Sequence, residues 1–197
     1  MTNRHINLIG DSIIDNINYV PAPGKSVLGH LDDMIPEFDF TQLATDGFTS
    51  ADVIKQLSGT KLLSGVSVLS VGGNDLLNRL DLLTDKGARP AINVLEEIGQ
   101  LAEQFADQYF RILKMIRQPL MVCTIYNPAF YKDGTTAHLQ DAAITAVSLF
   151  NDHIQRIAHA FDRPVLELRH IFTEEDDYAN PIEPSNKGGE KLAHEIA

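Results

Sequence analysis

A serine near the N-terminus stands where it can act as a nucleophile. In the stretch NLIGDSIIDN (7–16), Gly10 permits a sharp turn out of an apolar strand, and such a turn exposes the hydroxyl of Ser12 at the edge of a sheet. Aspartate and serine are also favoured helix caps, so a structural role explains the same residues. The complete nucleophile motif G-x-S-x-G is absent, because Ile14 occupies the position of its second glycine.

Two later segments place hydrogen-bond donors directly after apolar runs. Gly47 in ATDGFTS (44–50) can present its main-chain N–H, and Asn74 in SVGGNDLL (70–77) carries a side-chain amide with two N–H donors. A tetrahedral oxyanion needs two or three fixed donors, each contributing about 3–4 kcal/mol in the transition state. A turn with positive φ at Gly47 and a helix cap at Asn74 are the structural alternatives.

Alternating strand and helix patterns predict how these residues are positioned. Apolar, β-branched segments separated by helical periodicity are typical of a parallel sheet covered on both faces. The predicted strands are HINLI (5–9), FDFTQLA (38–44), GVSVLSV (65–71), PLMVCTI (119–125) and RPVLEL (163–168). The predicted helices cover 27–35, 50–57, 75–83, 91–116, 141–161 and 186–197. We predict one doubly wound α/β domain over residues 1–197, with its ligand site beyond the carboxyl ends of the strands.

These three motifs, in this order along the chain, resemble those of the SGNH (GDSL) hydrolase superfamily. The matching residues are Gly10-Asp11-Ser12, Gly47 and the segment SVGGNDLL (70–77), so the resemblance covers essentially the whole chain. It implies a three-layer αβα fold with a flavodoxin-like, five-stranded parallel sheet. It also implies serine ester hydrolysis, with Ser12 as the nucleophile and with Ser12, Gly47 and Asn74 as the oxyanion hole.

The last block departs from the family pattern, which is usually Asp-x-x-His followed by Pro. In NPIEP (180–184), Asn180 stands in place of the aspartate and Glu183 in place of the histidine that acts as the base. A glutamate has a pKa of ~4.3, against ~6.5 for histidine, so Glu183 is a weak base unless burial raises its pKa.

Three interpretations of this departure stay open. In the first, Glu183 is itself the base and Asn180 holds it in place. In the second, a histidine from elsewhere is the base, and His170, two residues past the fifth strand, lies at the correct edge of the sheet. In the third, the protein is a degenerate hydrolase that keeps the pocket for binding. A carboxylate at the start of the last helix, with Ser185 as its cap, is the structural alternative for Glu183.

We favour a small serine esterase or acylhydrolase with an altered base. A pocket that had drifted neutrally would lose its oxyanion donors as readily as its base, yet Ser12, Gly47 and Asn74 all remain. The aromatic residues of CTIYNPAFY (123–131), namely Tyr126, Phe130 and Tyr131, either line an acyl or aryl pocket or pack against the last helix. The acidic segment TEEDDY (173–178) is predicted to be a solvated loop or a lid.

Composition limits the other functions. The net charge of −11, without a basic stripe, argues against nucleic acid as a partner. No apolar stretch approaches the ~20 residues that span a bilayer. The single cysteine, Cys123, and the lack of a leader pattern at the start of the sequence predict a cytoplasmic protein.

No cofactor is predicted. The sequence has neither convincing metal-ligand spacing nor G-x-G-x-x-G nor a P-loop lysine, which argues against a nucleotide or phosphate binder. The predicted partner is a small-molecule ester, and the sequence leaves the oligomeric state open.

Overall fold

A sheet of five parallel strands forms the centre of the molecule. The computed structural model describes residues 4–62, 64–84 and 90–197. The strands are β1 (His5–Gly10), β2 (Asp39–Gln42), β3 (Val66–Ser70), β4 (Leu120–Cys123) and β5 (Val165–Leu166). Their order in the sheet is β2-β1-β3-β4-β5, and every neighbouring pair is parallel.

Helices cover both faces of this sheet. They are α1 (Val27–Met34), α2 (Ser50–Gly59), α3 (Gly73–Leu77), α4 (Asp81–Thr84), α5 (Ala91–Met115), α6 (Gln140–Ala160) and α7 (Asn186–Ile196). Helices α1 and α7 pack together on one face, and α2, α5 and α6 pack together on the other. The prediction of a three-layer αβα fold with a five-stranded parallel sheet is therefore confirmed.

Side chains of β1 alternate between the two cores, because successive residues of a strand point to opposite faces. Leu8 is completely buried in the cluster that contains Leu31 and Leu192 of α1 and α7. Ile9 is completely buried in the other cluster, with Phe105 and Phe150 of α5 and α6. Burial on both faces explains why this strand reads as a continuous apolar run.

Three details differ from the predicted elements. The helix predicted over 75–83 is divided into α3 and α4, with a turn at 78–80 between them. Strands β2 and β5 are shorter than predicted, and β5 ends where the side chain of Glu167 accepts a hydrogen bond from the main-chain N–H of Arg169. An additional antiparallel ribbon forms between β6 (Tyr178–Asn180) and β7 (Glu183–Pro184).

Within the described ranges, no helix is both long enough and apolar enough to cross a membrane.

Gly10 brings the end of β1 against β3 more closely than any other residue allows. Its φ is +136°, and a Cβ at this position would lie 1.7 Å from the carbonyl oxygen of Ser70. The same carbonyl accepts a hydrogen bond from the main-chain N–H of Asp11, with an N···O distance of 3.1 Å. The turn that carries Ser12 therefore depends on a glycine at position 10.

We expect Gly10→Ala to lower the free energy of unfolding by roughly 2–4 kcal/mol, since it adds both a clash and a strained φ. The matched control is Gly99→Ala in the interior of α5, where an added Cβ meets no atom within 4 Å. That control should gain about 0.5–1 kcal/mol. Urea denaturation of both variants measures the difference, and equal stabilities would contradict the assigned role of Gly10.

Candidate active site

Asp11 holds the turn that presents Ser12. Its carbonyl oxygen accepts hydrogen bonds from the N–H groups of Ile14 (3.2 Å) and Asp15 (3.0 Å). Its side-chain Oδ1 accepts a third from the N–H of Ile13, at 3.1 Å. Asp11 thus makes the capping contacts, and the turn continues towards a short 3-10 helix instead of an α-helix that Ser12 would cap.

The hydroxyl of Ser12 lies beside the carboxylate of Glu183 on the wall of one cavity, and it favours the ionised form of that carboxylate. Both residues are only 6% exposed, so this pair lies almost completely out of solvent. The second carboxylate oxygen of Glu183, Oε2, has no hydrogen-bond partner within the described part of the chain. The structure therefore pairs the predicted nucleophile with the residue that replaces the family's histidine.

The surroundings of Glu183 disfavour its ionised form. Burial, together with the negative charge of Asp46, raises the pKa of Glu183 to about 7, although the neighbouring Ser12 hydroxyl acts in the opposite direction. This value lies close to the pKa of ~6.5 for the histidine that the family pattern expects. The carboxyl of Glu183 can therefore take up and release a proton near neutral pH.

Three hydrogen bonds fix the turn between β6 and β7 just before Glu183. The hydroxyl of Tyr126 donates to the carbonyl of Ile182 (2.6 Å), and the N–H of Ala129 donates to the carbonyl of Pro181 (2.7 Å). The side-chain Oδ1 of Asn180 accepts from the N–H of Ile182, at 2.9 Å. The sequence had not indicated that Tyr126 has this role.

Asn180 lies opposite Glu183 in the ribbon, as a register partner across the turn. Its side-chain oxygen bonds the main chain of that turn, so it orders the segment from which Glu183 projects. A direct contact by which Asn180 positions the carboxylate of Glu183 stays a prediction.

Asn74, in the first turn of α3, lies against the loop that carries Gly47. One amide N–H of Asn74 donates to the carbonyl of Phe48, at 3.0 Å, which leaves the second for another acceptor. Gly47 has φ +83° in a turn closed by a hydrogen bond from Phe48 N–H to the carbonyl of Thr45 (3.1 Å), as a type II turn requires. Within the described ranges, the N–H groups of Ser12 and Gly47 donate to no protein acceptor.

A cavity of about 60 Å³ brings part of the predicted site together. Ser12, Asn74 and Glu183 all line it, whereas Gly47 lies in the adjoining loop and Asn180 lies in the ribbon behind Glu183. The rest of the cavity wall is mostly apolar, and Tyr126 and Phe130 form part of it. Tyr131 is 52% exposed and does not line the cavity.

All seven histidines of the chain lie in the described ranges, and none of them lines this cavity. His170 is exposed and borders a separate surface cleft with Met34 and Lys191, which belong to α1 and α7. The structure therefore brings Glu183, and not His170, to the hydroxyl of Ser12. In the described residues, no group of three His, Cys, Asp or Glu side chains is arranged to hold a metal ion.

Asp177 is a structural residue that sequence reasoning missed. It belongs to the acidic segment predicted as solvated, yet its side chain is completely buried. Its Oδ2 accepts hydrogen bonds from Lys191 Nζ (2.7 Å) and from the main-chain N–H groups of Thr173 (3.0 Å) and Glu174 (2.8 Å). Asp177 thereby ties the start of the ribbon that carries Glu183 to α7, through contacts that no local pattern indicates.

Comparison with known proteins supports the fold independently. No protein-family model matches the sequence, and no curated protein matches it. Solved structures match it along nearly its whole length. A member of the lipolytic G-D-S-L family from Veillonella parvula superposes with a TM-score of 0.69 at 16% identity, covering 98% of this chain and 95% of the other.

Two further solved structures are similar to this chain along nearly its whole length. A lipase from a goat rumen metagenome has a TM-score of 0.65 at 18% identity, with 98% of this chain and 95% of the other covered. A GDSL-like lipase from Bacteroides thetaiotaomicron has a TM-score of 0.59 at 15% identity, with 98% and 86% covered. The chain has the GDSL hydrolase fold. Because the identities are this low, the structural similarity shows the GDSL fold alone. This fold agrees with the resemblance drawn from the three motifs.

The pKa of Glu183 predicts how stability depends on pH. An unfolded glutamate titrates near ~4.3 and the folded one near about 7, so between these values the native state binds more protons and loses stability as pH rises. Glu183→Gln carries no charge and avoids this loss. Its advantage over the wild type should therefore grow by roughly 2 kcal/mol between pH 5 and pH 8.

Urea denaturation at both pH values measures this advantage, and Glu195→Gln, which changes an exposed glutamate on α7, is the control. An advantage for Glu183→Gln that is the same at pH 5 and pH 8 would show that its carboxyl is not perturbed.

Proposed function

We propose that this protein is a serine hydrolase that cleaves carboxylic esters through an acyl-enzyme on Ser12. The observation that carries the proposal is that the buried Ser12 hydroxyl, the buried carboxyl of Glu183 and the amide-bearing Asn74 all line one cavity. A nucleophile next to a base, with hydrogen-bond donors for an oxyanion close by, is the arrangement that acyl transfer requires. The GDSL hydrolase fold is consistent with this chemistry, although fold alone does not establish it.

The first half of the reaction forms the acyl-enzyme. Ser12 Oγ attacks the ester carbonyl carbon while the carboxylate of Glu183 accepts the hydroxyl proton. The carbonyl oxygen becomes an oxyanion, which accepts hydrogen bonds from the N–H groups of Ser12 and Gly47 and from the amide of Asn74. When the tetrahedral intermediate collapses, the bond to the alkoxy oxygen breaks, and protonated Glu183 returns the proton to the leaving alcohol.

The second half repeats these steps with water. Glu183, again ionised, accepts a proton from a water molecule as its oxygen attacks the acyl carbon on Ser12. The same donors stabilise the second oxyanion. Collapse releases the carboxylic acid, and the proton held by Glu183 restores the Ser12 hydroxyl.

A glutamate suits this role because of its environment. General-base catalysis is most effective when the pKa of the base lies near the working pH. Since the pKa of Glu183 is about 7, its carboxylate is populated at neutral pH and is basic enough to assist the serine. The rate should therefore rise with pH through about 7, where the proton leaves Glu183.

The lining of the cavity supports a linear, apolar acyl chain on the substrate. Beyond the polar groups its wall consists of apolar side chains from the α3–α4 segment, the 125–130 loop and α6. A sugar in this space would leave its hydroxyl groups without partners, which is costly. A linear acyl chain longer than acetyl would instead bury its methylene groups against Leu80 and Ala143.

The decisive experiment compares wild type with Ser12→Ala and Glu183→Gln on p-nitrophenyl esters, together with labelling by a fluorophosphonate. We expect each substitution to lower kcat/KM by at least about a thousandfold. The phosphonate should add one equivalent to Ser12 in the wild type, as intact mass measures. Ser58→Ala, on the exposed surface of α2, is the matched control and should retain the full rate.

Two results would overturn the proposal. Unchanged hydrolysis by Ser12→Ala, with no label on the wild type, would leave a non-catalytic binding protein on the GDSL fold. Hydrolysis that requires Ser12 but neither Glu183 nor a group of pKa near 7 would refute Glu183 as the base.

The acyl chain gives a separate prediction. From acetyl to hexanoyl esters, kcat/KM should rise about fourfold per methylene, the factor expected for burying ~0.8 kcal/mol of apolar surface. Ala143→Phe fills the cavity from α6 and should remove most of this gain while acetate hydrolysis continues. Ala142→Phe, on the exposed face of the same helix, is the control and should keep the chain-length preference.

A further inference from the structure

The loop that carries Gly47 is held at several points around the glycine. On one side, the N–H of Thr45 donates to the carbonyl of Gly10 at 3.0 Å. On the other side, the carbonyl of Phe48 accepts the amide of Asn74 at 3.0 Å. These two contacts join the loop to the ends of β1 and β3, but neither involves the side chain of Asp46, the residue just before Gly47.

Asp46 makes a second set of contacts, all with the segment that follows Ser12. The hydroxyl of Tyr19 donates to both carboxylate oxygens of Asp46, at 3.1 Å to Oδ1 and 2.9 Å to Oδ2. The main-chain N–H of Asp46 donates to Asp15 Oδ2 at 3.1 Å. Asp15 in turn donates its N–H to the carbonyl of Asp11, the residue before Ser12.

Asp46 is also the charged neighbour that acts on Glu183. Its carboxylate opposes ionisation of Glu183, on which burial has the larger effect. The other titratable groups coupled to Glu183 are Asp11, after β1, Tyr19, and Tyr126, after β4. Burial raises the pKa of Asp11 well above its usual value, and Asp46 is the carboxylate whose charge raises the pKa of Glu183.

We propose that Tyr19 and Asp46 form a clamp that positions the N–H of Gly47 towards the oxyanion and places a fixed negative charge near Glu183. This inference rests on the proposed ester hydrolysis. Tyr19 and Asp46 act as positioning residues, because they act through Gly47 and Glu183. The geometric effect passes through the Tyr19 hydroxyl, and the electrostatic effect passes through the charge of Asp46, so the two can be separated.

Tyr19→Phe removes the hydroxyl and releases the loop. At pH 9, where Glu183 is ionised, kcat for p-nitrophenyl acetate should fall about tenfold while KM stays within twofold, since the lost contact matters for the oxyanion and not for substrate binding. Tyr131→Phe, which changes an exposed tyrosine outside the cavity, is the control and should match the wild type.

Asp46→Asn keeps a side-chain oxygen for the Tyr19 hydroxyl and removes the charge. Its kcat at pH 9 should therefore stay within threefold of the wild type, while the rising limb of the pH–rate profile moves down by roughly half a pH unit. Asp46→Ala should show both this shift and the loss seen in Tyr19→Phe. Asp32→Asn, an exposed residue of α1, controls for the change in net charge and should leave the limb in place.

A clamp can also be measured without activity. Hydrogen exchange at the N–H of Asp46 should be faster in Tyr19→Phe than in Tyr131→Phe. The inference fails if exchange is unchanged, if Tyr19→Phe keeps the full kcat, or if Asp46→Asn loses as much activity as Asp46→Ala. Complete inactivity of the wild type towards esters would instead refute the proposed function, and the exchange rates would still decide whether the clamp exists.

Discussion

The pairing of the Ser12 hydroxyl with the buried carboxylate of Glu183 brings the end of the first strand of the sheet to a ribbon near the end of the chain. A carboxylate out of solvent, with one oxygen unpartnered, has little to offset the loss of its hydration. It remains in place because both sides are held by contacts that do not involve it. Gly10 holds the serine side against Ser70, and Tyr126 holds the turn before the glutamate.

The two substitutions in the last block make sense as a pair. In the Asp–His arrangement of the family, the aspartate carries the negative charge, orients the histidine and stabilises it once it is protonated. In the proposed mechanism Asn180 is neutral and Glu183 carries the charge, so the pair would hold one negative charge before the proton transfer in both arrangements. A carboxylate has no tautomers to select, and an aspartate at position 180 would repel it. An asparagine that orders the turn is therefore a compatible neighbour for a glutamate base.

Local and periodic signals were sufficient for the sheet and for the shared position of Ser12 and Asn74 beside one cavity. Leu8 and Ile9 belong to a β-branched run, and such runs end at a common edge in a parallel sheet, which is why Ser12 and Asn74 could be placed together. The contacts that position Glu183 depend on residues distant in sequence. The Tyr126 hydroxyl reaches Ile182, and Asp177 is buried because Lys191 meets it from α7. Neither pairing has a local pattern, so the sequence predicted Tyr126 as a pocket residue or a packing residue and Asp177 as part of a solvated loop or a lid.

The charges around the site also bear on which ligands enter it and which products leave it in the proposed hydrolysis. In the described part of the chain, no lysine, arginine or histidine lines the cavity, while Glu183 lines it and Asp46 lies near that carboxylate. An anionic ligand such as a phosphate would meet like charge without a compensating cation, whereas a neutral ester would not. The carboxylic acid that hydrolysis releases ionises at neutral pH and is then repelled by the same groups. In the proposed reaction, the acidic surroundings that lower stability when Glu183 ionises would thus favour entry of a neutral ester and departure of its acid.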